Sequence, residues 1–332
     1  MSTGYQARRK TAPAPPVQGF PYRHAVITGA SAGIGAAVAL QLACLPGITL
    51  TLIGRHVARL AAVAVACRAQ GAKVHALNVD VTNKAAMTDA VVQAHAECPV
   101  DLVLAIAGIV AAAPPVSISS SAGVASLADN LWIAAHTNIM GTLNTVAPAL
   151  PLLKATAAAG RPAAVAVTSS VSVLPKDAVL FSGQLQVGLL PYAWTKQALL
   201  SLGQGLQGEL AGSGVEVFTI CPGVVLTGLS FGLAESFMGA TGSKHADAAA
   251  AGGAGGAAAG VGLVDPDASS VHLTATAAGE VEVRRQSVLD ERAAGAMGMM
   301  PEEALKQKLS AVTAEEAAAH ICAGLAGGKE SI

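Results

Sequence analysis

The sequence predicts an α/β domain in which a parallel sheet of six or seven strands carries helices on both faces. Three observations point there. Short apolar runs alternate with helix-length stretches from residue 24 to about residue 220, and alternation of these lengths is the mark of parallel βαβ winding. The apolar runs are near-continuous Val, Ile, Leu and Ala, as strands buried on both faces require. The first run, His24-Ala25-Val26-Ile27, passes through Thr28-Gly29-Ala30-Ser31-Ala32-Gly33-Ile34-Gly35 into a helical run starting at Ala36. Strand, glycine turn and helix in that order make a doubly wound, Rossmann-type dinucleotide unit.

In chain order, strands are expected at His24–Thr28, Thr49–Ile53, Lys73–Asn78, Leu102–Ile106, Ala163–Thr168 and Val215–Ile220. Helices are expected at Ala36–Cys44, Val57–Gln70, Lys84–Ala96, Ala134–Lys154 and Tyr192–Ala211, with Pro191 in a first-turn position. Two further helical stretches, Pro301–Leu309 and Ala314–Leu325, close the chain. Residues 1–21, with Pro13, Pro15 and Pro16, read as a disordered tail, and residues 22–332 as one domain. Residues 247–262 are almost all Ala and Gly. They offer no side chain large enough to bury useful area, so they read as a mobile insert.

Composition excludes several classes of function. The net charge is −1, and Arg8-Arg9-Lys10 is the one basic block, so nothing favours nucleic acid or an anionic membrane surface. No apolar stretch reaches the roughly 18 residues of a membrane span. The five cysteines, Cys44, Cys67, Cys98, Cys221 and Cys322, are odd in number and never form a C-x-x-C pair. They read as free thiols in a reducing, cytoplasmic compartment; the alternative is an organelle lumen reached through a short N-terminal targeting segment. The eight histidines show no metal-ligand spacing.

The candidate chemistry lies in three segments. In the glycine turn, Gly29, Ser31, Gly33, Ile34 and Gly35 let the backbone approach a pyrophosphate, which a Cβ would block, and the helix N-terminus binds that anion. Far downstream, Tyr192 and Lys196 are four residues apart and so share one helix face. A nearby ammonium favours a phenolate and would bring the tyrosine into range for proton transfer. At the end of the second strand, Gly54-Arg55-His56 carries no acid to grip a ribose hydroxyl. Arg55 suits a 2′-phosphate instead, which reads as NADP(H).

The Gly-x-x-x-Gly-x-Gly spacing and the later Tyr-x-x-x-Lys together resemble the short-chain dehydrogenase/reductase family over roughly residues 22–230. The resemblance implies a catalytic set of Ser170, Tyr192, Lys196 and Asn138. Ser170 is the second serine of Thr168-Ser169-Ser170, with Ser172 as the alternative, and would stabilise charge on a substrate oxygen. Ser170 lies 22 positions before Tyr192, against a family spacing of about 13, the extra residues falling within Lys176–Leu190. Asn138, in Asn138-Ile139-Met140-Gly141, would hold a water beside the lysine. Asp80 and Val81 would meet the adenine, and Pro222, Gly223, Val225 and Thr227 the nicotinamide side; Tyr192 and Lys196 also border the cofactor. The family's Asn-Asn-Ala-Gly is altered here to Ala105-Ile106-Ala107-Gly108, leaving Ala107 and Gly108 to line the groove. A seventh strand is expected to be missing or reduced. Residues 214–227 look most like the dehydrogenase/reductase member 7 branch.

These features imply an enzyme that interconverts a ketone or aldehyde and an alcohol on a small, lipophilic substrate, acting as a homodimer. The altered Ala105–Gly108 segment leaves a second reading open, a cofactor-binding regulator or scaffold with weak catalysis. A structural subunit that binds a partner through the Ala/Gly insert is a third.

Overall fold

The computed structural model describes residues 19–111, 118–173, 184–223, 225–226, 271–275, 281–285 and 312–327. Residues 1–18 of the tail expected over 1–21, the insert 247–262 and the helix 301–309 lie outside the described residues; at the end of that tail Phe20 packs against Tyr22 and the core.

Six parallel strands form one sheet: β1 (His24–Thr28), β2 (Thr49–Gly54), β3 (Lys73–Asn78), β4 (Leu102–Ala105), β5 (Ala163–Thr168) and β6 (Val215–Ile220). Their spatial order is β3-β2-β1-β4-β5-β6. The chain therefore winds outward in both directions from the β1–β4 pair, and the carboxyl ends of these two strands border the switch-point crevice.

Successive strand residues bury themselves in opposite layers, which explains the unbroken apolar runs. Ala25, Ile27, Leu50, Leu52, Leu102, Leu104, Phe218 and Ile220 face one core. Val26, Ile53, Val103, Ala105, Val165, Val167, Val215 and Val217 face the other. Helices α1 (Gly33–Ala43) and α2 (Val57–Ala69) close the first layer, joined by the last described helix, α7 (Ala314–Gly327), through Ala318, Ile321, Cys322 and Leu325. Helices α3 (Lys84–Glu97), α5 (Gly141–Ala158) and α6 (Gln184–Leu210) close the second. Before α5 come α4 (Ser121–Ala135) and a π-helical turn, His136–Met140.

Three expectations need correction. Helix α1 starts at Gly33, not Ala36, so the last two glycines of the turn belong to its first turn. Helix α6 starts at Gln184, not Tyr192, and Pro191 lies inside it. Part of the extra sequence between Ser170 and Tyr192 is thus additional helix, long enough to absorb the one backbone bond that proline cannot donate. The long helix expected at 134–154 is divided by the π turn at Asn138.

Among the described residues the main sheet has six strands and ends at β6; the chain end where a seventh strand was expected to be missing or reduced lies outside them. A two-residue strand, β7 (Val225–Leu226), pairs in parallel with β10 (Val312–Thr313). The chain between them leaves and returns at adjacent points, and β10 leads straight into α7. Strands β8 (Val271–Ala275) and β9 (Val281–Arg285), which the sequence reading did not anticipate, pair antiparallel.

At the opposite end of the sheet from the crevice, His24 is fully buried. Its Nδ1 lies 2.7 Å from the Cys98 carbonyl oxygen and its Nε2 2.9 Å from Thr51 Oγ1. A carbonyl can only accept, so the proton sits on Nδ1 and Thr51 donates to Nε2. Burial holds the imidazole neutral, with its pKa pushed down to about 4 from 6.5. A group depressed in the folded state contributes stability above its unfolded pKa and loses it as pH falls through the folded one. His24 should therefore withdraw on the order of 3 kcal/mol between pH 6.5 and about 4. Asp101 works in the opposite sense at the lower end of that window, because burial raises its pKa. A His24 ring that titrates near its ordinary value in an NMR pH series would contradict this account.

Candidate active site

The candidate residues come from the loops at the carboxyl ends of the strands, the start of α1, the π turn and α6, and the fold brings most of them into one crevice. At the β1 end, Gly29 adopts φ +70°, and a Cβ there would stand 2.9 Å from the Ala107 Cα. A Cβ on Gly35 would run into the Gly29 carbonyl oxygen. The turn can close only because both side chains are absent. Thr28 fixes this approach: its hydroxyl accepts the backbone N–H groups of Ile106 at 3.1 Å and Ala107 at 3.2 Å. Ala105-Ile106-Ala107-Gly108 thus keeps its place against the glycine turn without the two asparagines. Thr28 is a site residue the sequence reading passed over, although it stands first in the motif.

The start of α1 differs from those of α2, α3 and α4. His56, Asn83 and Ser120 cap those three by accepting backbone N–H groups. The N-cap of α1 is Ala32, which makes no side-chain bond, and its first turn holds no acid. Uncapped N–H groups at the positive end of the helix dipole, beside a backbone with no Cβ in the way, form a cradle for an anion. Residues at this position fit a dinucleotide pyrophosphate.

Beyond it, Ser31 packs over Gly54, where a Cβ would be 3.1 Å from the serine Cβ. Arg55 Nη1 lies 3.7 Å from Asp80 Oδ2, with both side chains about half exposed. Burial alone would raise the Asp80 carboxyl, but the Thr82 N–H and hydroxyl, together with Arg55, hold it below its usual range. So exposed a pair is worth little, and the guanidinium can turn to another anion. Val81 is pinned from the far side: Asn144 Nδ2 donates to its carbonyl at 2.9 Å, and Gly141 leaves room for its side chain.

The four proposed catalytic residues converge beside β4 and β5. Ser170 is buried, and its hydroxyl is near enough to the Tyr192 phenol to favour its ionised form. Its Oγ also accepts the Ser172 N–H at 3.2 Å, so the plainer reading of this serine, a cap for the short helical turn Val171–Val173, holds as well. Of the two serines weighed, Ser170 is the one whose hydroxyl acts on the tyrosine's acidity. Lys196 is buried, with Nζ 2.9 Å from the Thr168 carbonyl oxygen and 5.5 Å from the centre of the Tyr192 ring. A Cβ on Gly108 would lie 3.2 Å from Asn138 Oδ1 and 3.4 Å from Lys196 Nζ. Here too a glycine permits the close approach.

The electrostatics differ from the expectation. Burial pushes the Tyr192 phenol up, and the acidifying contact is the Ser170 hydroxyl rather than Lys196. Burial also pulls the Lys196 amine down to about 8, against a smaller opposing effect of Cys221. Tyr192 is therefore protonated at neutral pH and suited to giving up a proton more than to taking one.

Asn138 is fully buried in the π turn, and its amide faces Ile109 and Thr195. Ser169, absent from the sequence-derived set, donates to the Lys196 carbonyl at 2.8 Å. Pro222 accepts the Val171 N–H and ties the β6 loop to the β5 loop. Gly223 is exposed, and Val225 is buried in β7. Thr227 lies outside the described residues. No metal-binding cluster occurs among the described residues.

A dinucleotide-type crevice lined by a serine, a tyrosine, a lysine and an asparagine defines an oxidoreductase-like α/β protein. A family model described as short chain dehydrogenase matches residues 23–235, and the chain belongs to that family. An uncharacterized oxidoreductase of Staphylococcus saprophyticus is 33% identical over 208 residues, which make up 62% of this chain and 80% of that protein. An alcohol dehydrogenase of Thermococcus sibiricus, solved with 5-hydroxy-NADP, matches with a TM-score of 0.51 at 28% identity, covering 63% of this chain and 79% of its own. A short chain dehydrogenase/reductase of Burkholderia phymatum, solved with NAD, matches with a TM-score of 0.60 over 95% of this chain and 89% of its own. At 23% identity that likeness speaks for the fold. No helix among the described residues is long and apolar enough to cross a membrane.

Proposed function

We propose that the protein is an NADP(H)-dependent oxidoreductase that interconverts a ketone or aldehyde with an alcohol, on a small lipophilic substrate. The observation that carries this reading is the convergence of Ser170, Tyr192, Lys196 and Asn138 on one crevice, beside an uncapped helix N-terminus. When bound, the nicotinamide supplies or accepts the hydride. Ser170 orients the substrate oxygen, and Tyr192 delivers the proton that makes it a hydroxyl. Lys196, uncharged above about pH 8, holds the cofactor ribose in its charged form. The proton given by Tyr192 is replaced from solvent along the Lys196 and Asn138 side of the crevice.

Arg55 supports NADP(H), because no acid at the end of β2 competes with a 2′-phosphate. In this reading the guanidinium leaves Asp80 for the phosphate. Arg55→Asp should weaken NADPH binding about a hundredfold and leave NADH within a few-fold. Fluorescence titrations with the two cofactors measure this, and equal weakening of both would count against it.

The wider reading has a single domain over residues 22–332, a reducing compartment that suits five free cysteines, and a homodimer. Trp132 on α4 and Trp194 on α6 are exposed and would be covered by a second copy; sedimentation velocity that finds a monomer at micromolar concentration rules this out. The likeness of residues 214–227 to the member 7 branch directs the first assays to steroid and other lipophilic ketones. NADPH consumption over such a panel tests the main reading. NADPH binding without turnover would favour the regulator reading, to which the altered Ala105–Gly108 segment and the long stretch after Ser170 lend support.

A further inference from the structure

Asn138 grips the backbone of Ile109 as a neighbouring strand would. Its Oδ1 accepts the Ile109 N–H at 2.8 Å, and its Nδ2 donates to the Ile109 carbonyl at 3.0 Å. The second hydrogen of Nδ2 goes to Thr195 Oγ1, also at 3.0 Å. Thr195 is fully buried, and its own single hydrogen is given to the Tyr192 carbonyl at 2.7 Å. A hydroxyl has one hydrogen to donate, so toward Asn138 it can only accept. The amide and the hydroxyl therefore lock each other's orientation.

This chain of bonds runs from the loop after β4, through the π turn, to the helical turn that carries both Tyr192 and Lys196. The loop matters because Gly108, next to Ile109, is the point where Asn138 and Lys196 come together. We infer that Thr195 is a positioning residue for the reaction: it sets the height of the Tyr192–Lys196 turn of α6 relative to the Asn138 amide. The inference rests on the oxidoreductase reading above. Without the hydroxyl, one Asn138 N–H is buried with no acceptor. The helical turn is then free to shift against the loop, and a displacement of about 1 Å is enough to spoil proton transfer. The anion cradle at β1 and α1 is untouched, so cofactor affinity should fall far less than turnover, by the share that Lys196 supplies at the ribose.

Thr195→Val keeps the shape and removes the hydroxyl, Thr195→Ala guards against a packing artefact, and Thr195→Ser keeps the hydroxyl. In wild type, the Asn138 side-chain amide should be protected from hydrogen exchange in NMR spectra of the full chain. Val and Ala should each remove that protection at least tenfold, and Ser should restore it to within about threefold. On a carbonyl substrate, Val and Ala should lower kcat about tenfold or more while KM for NADPH rises by no more than about threefold, and Ser should recover kcat. A folded Val or Ala variant with wild-type protection and kcat overturns the inference. If Val and Ala both fail to fold while Ser folds, Thr195 is structural only and the inference also fails. The exchange arm needs no turnover. Lost protection in the Val and Ala variants, alongside a wild-type protein inactive on every carbonyl, would sink the oxidoreductase reading and leave the Thr195–Asn138 coupling as a structural finding.

Discussion

Tyr192→Phe should lower carbonyl reduction about a thousandfold and leave NADPH affinity within about twofold. The size follows from what the hydroxyl does. General-acid catalysis by a placed group is worth roughly 10²- to 10⁴-fold, and Tyr192 holds its proton because burial disfavours the phenolate. Phenylalanine fills nearly the same space, and Ser170 retains its bond from the Ser172 N–H, so the fold should be unaffected. Steady-state rates with NADPH and the best substrate of the panel make the measurement, with thermal melting as the check on folding. A phenylalanine variant that keeps more than about a tenth of the rate would remove Tyr192 from the proton-transfer role.

Gly29→Ala should cost on the order of 2–4 kcal/mol of stability and weaken NADPH binding by about a hundredfold. Two penalties combine. At φ +70° any side chain is strained, and the new Cβ would stand 2.9 Å from the Ala107 Cα and 3.0 Å from its backbone nitrogen. Backbone atoms cannot rotate away, so the loop after β4 must retreat, and the two bonds from that loop to Thr28 stretch with it. Gly47 provides an internal control. It has φ +72° and nothing within 4 Å of the Cβ position, so Gly47→Ala should show the conformational penalty of about 1–2 kcal/mol alone. Urea denaturation of both variants separates the two contributions. Equal midpoints would mean that the contact with Ala107 carries no cost.

Much of the sheet was legible because strands buried on both sides announce themselves. His24–Thr28, Lys73–Asn78, Ala163–Thr168 and Val215–Ile220 match the expected spans, each short, apolar and bounded by turn residues. Helix ends were harder. Residues 184–190 precede a proline, and proline normally marks a beginning, yet the observed helix continues through it. The antiparallel pair β8 and β9, Val271–Ala275 and Val281–Arg285, lies in a stretch where no element was expected.

The sequence by itself determined the winding, the glycine turn and the identity of the residues that line the crevice, because spacing and residue type fix those locally. Only the tertiary structure decided their chemical state. That the Ser170 hydroxyl rather than Lys196 acts on the Tyr192 phenol, that Lys196 turns to the Thr168 carbonyl, and that Thr195 bridges Asn138 to α6 all depend on groups far apart in the chain. So do the shifted acidities of Tyr192 and Lys196, which arise from burial. Burial and hydrogen-bond partnership are properties of packing, and no local pattern of residues encodes them.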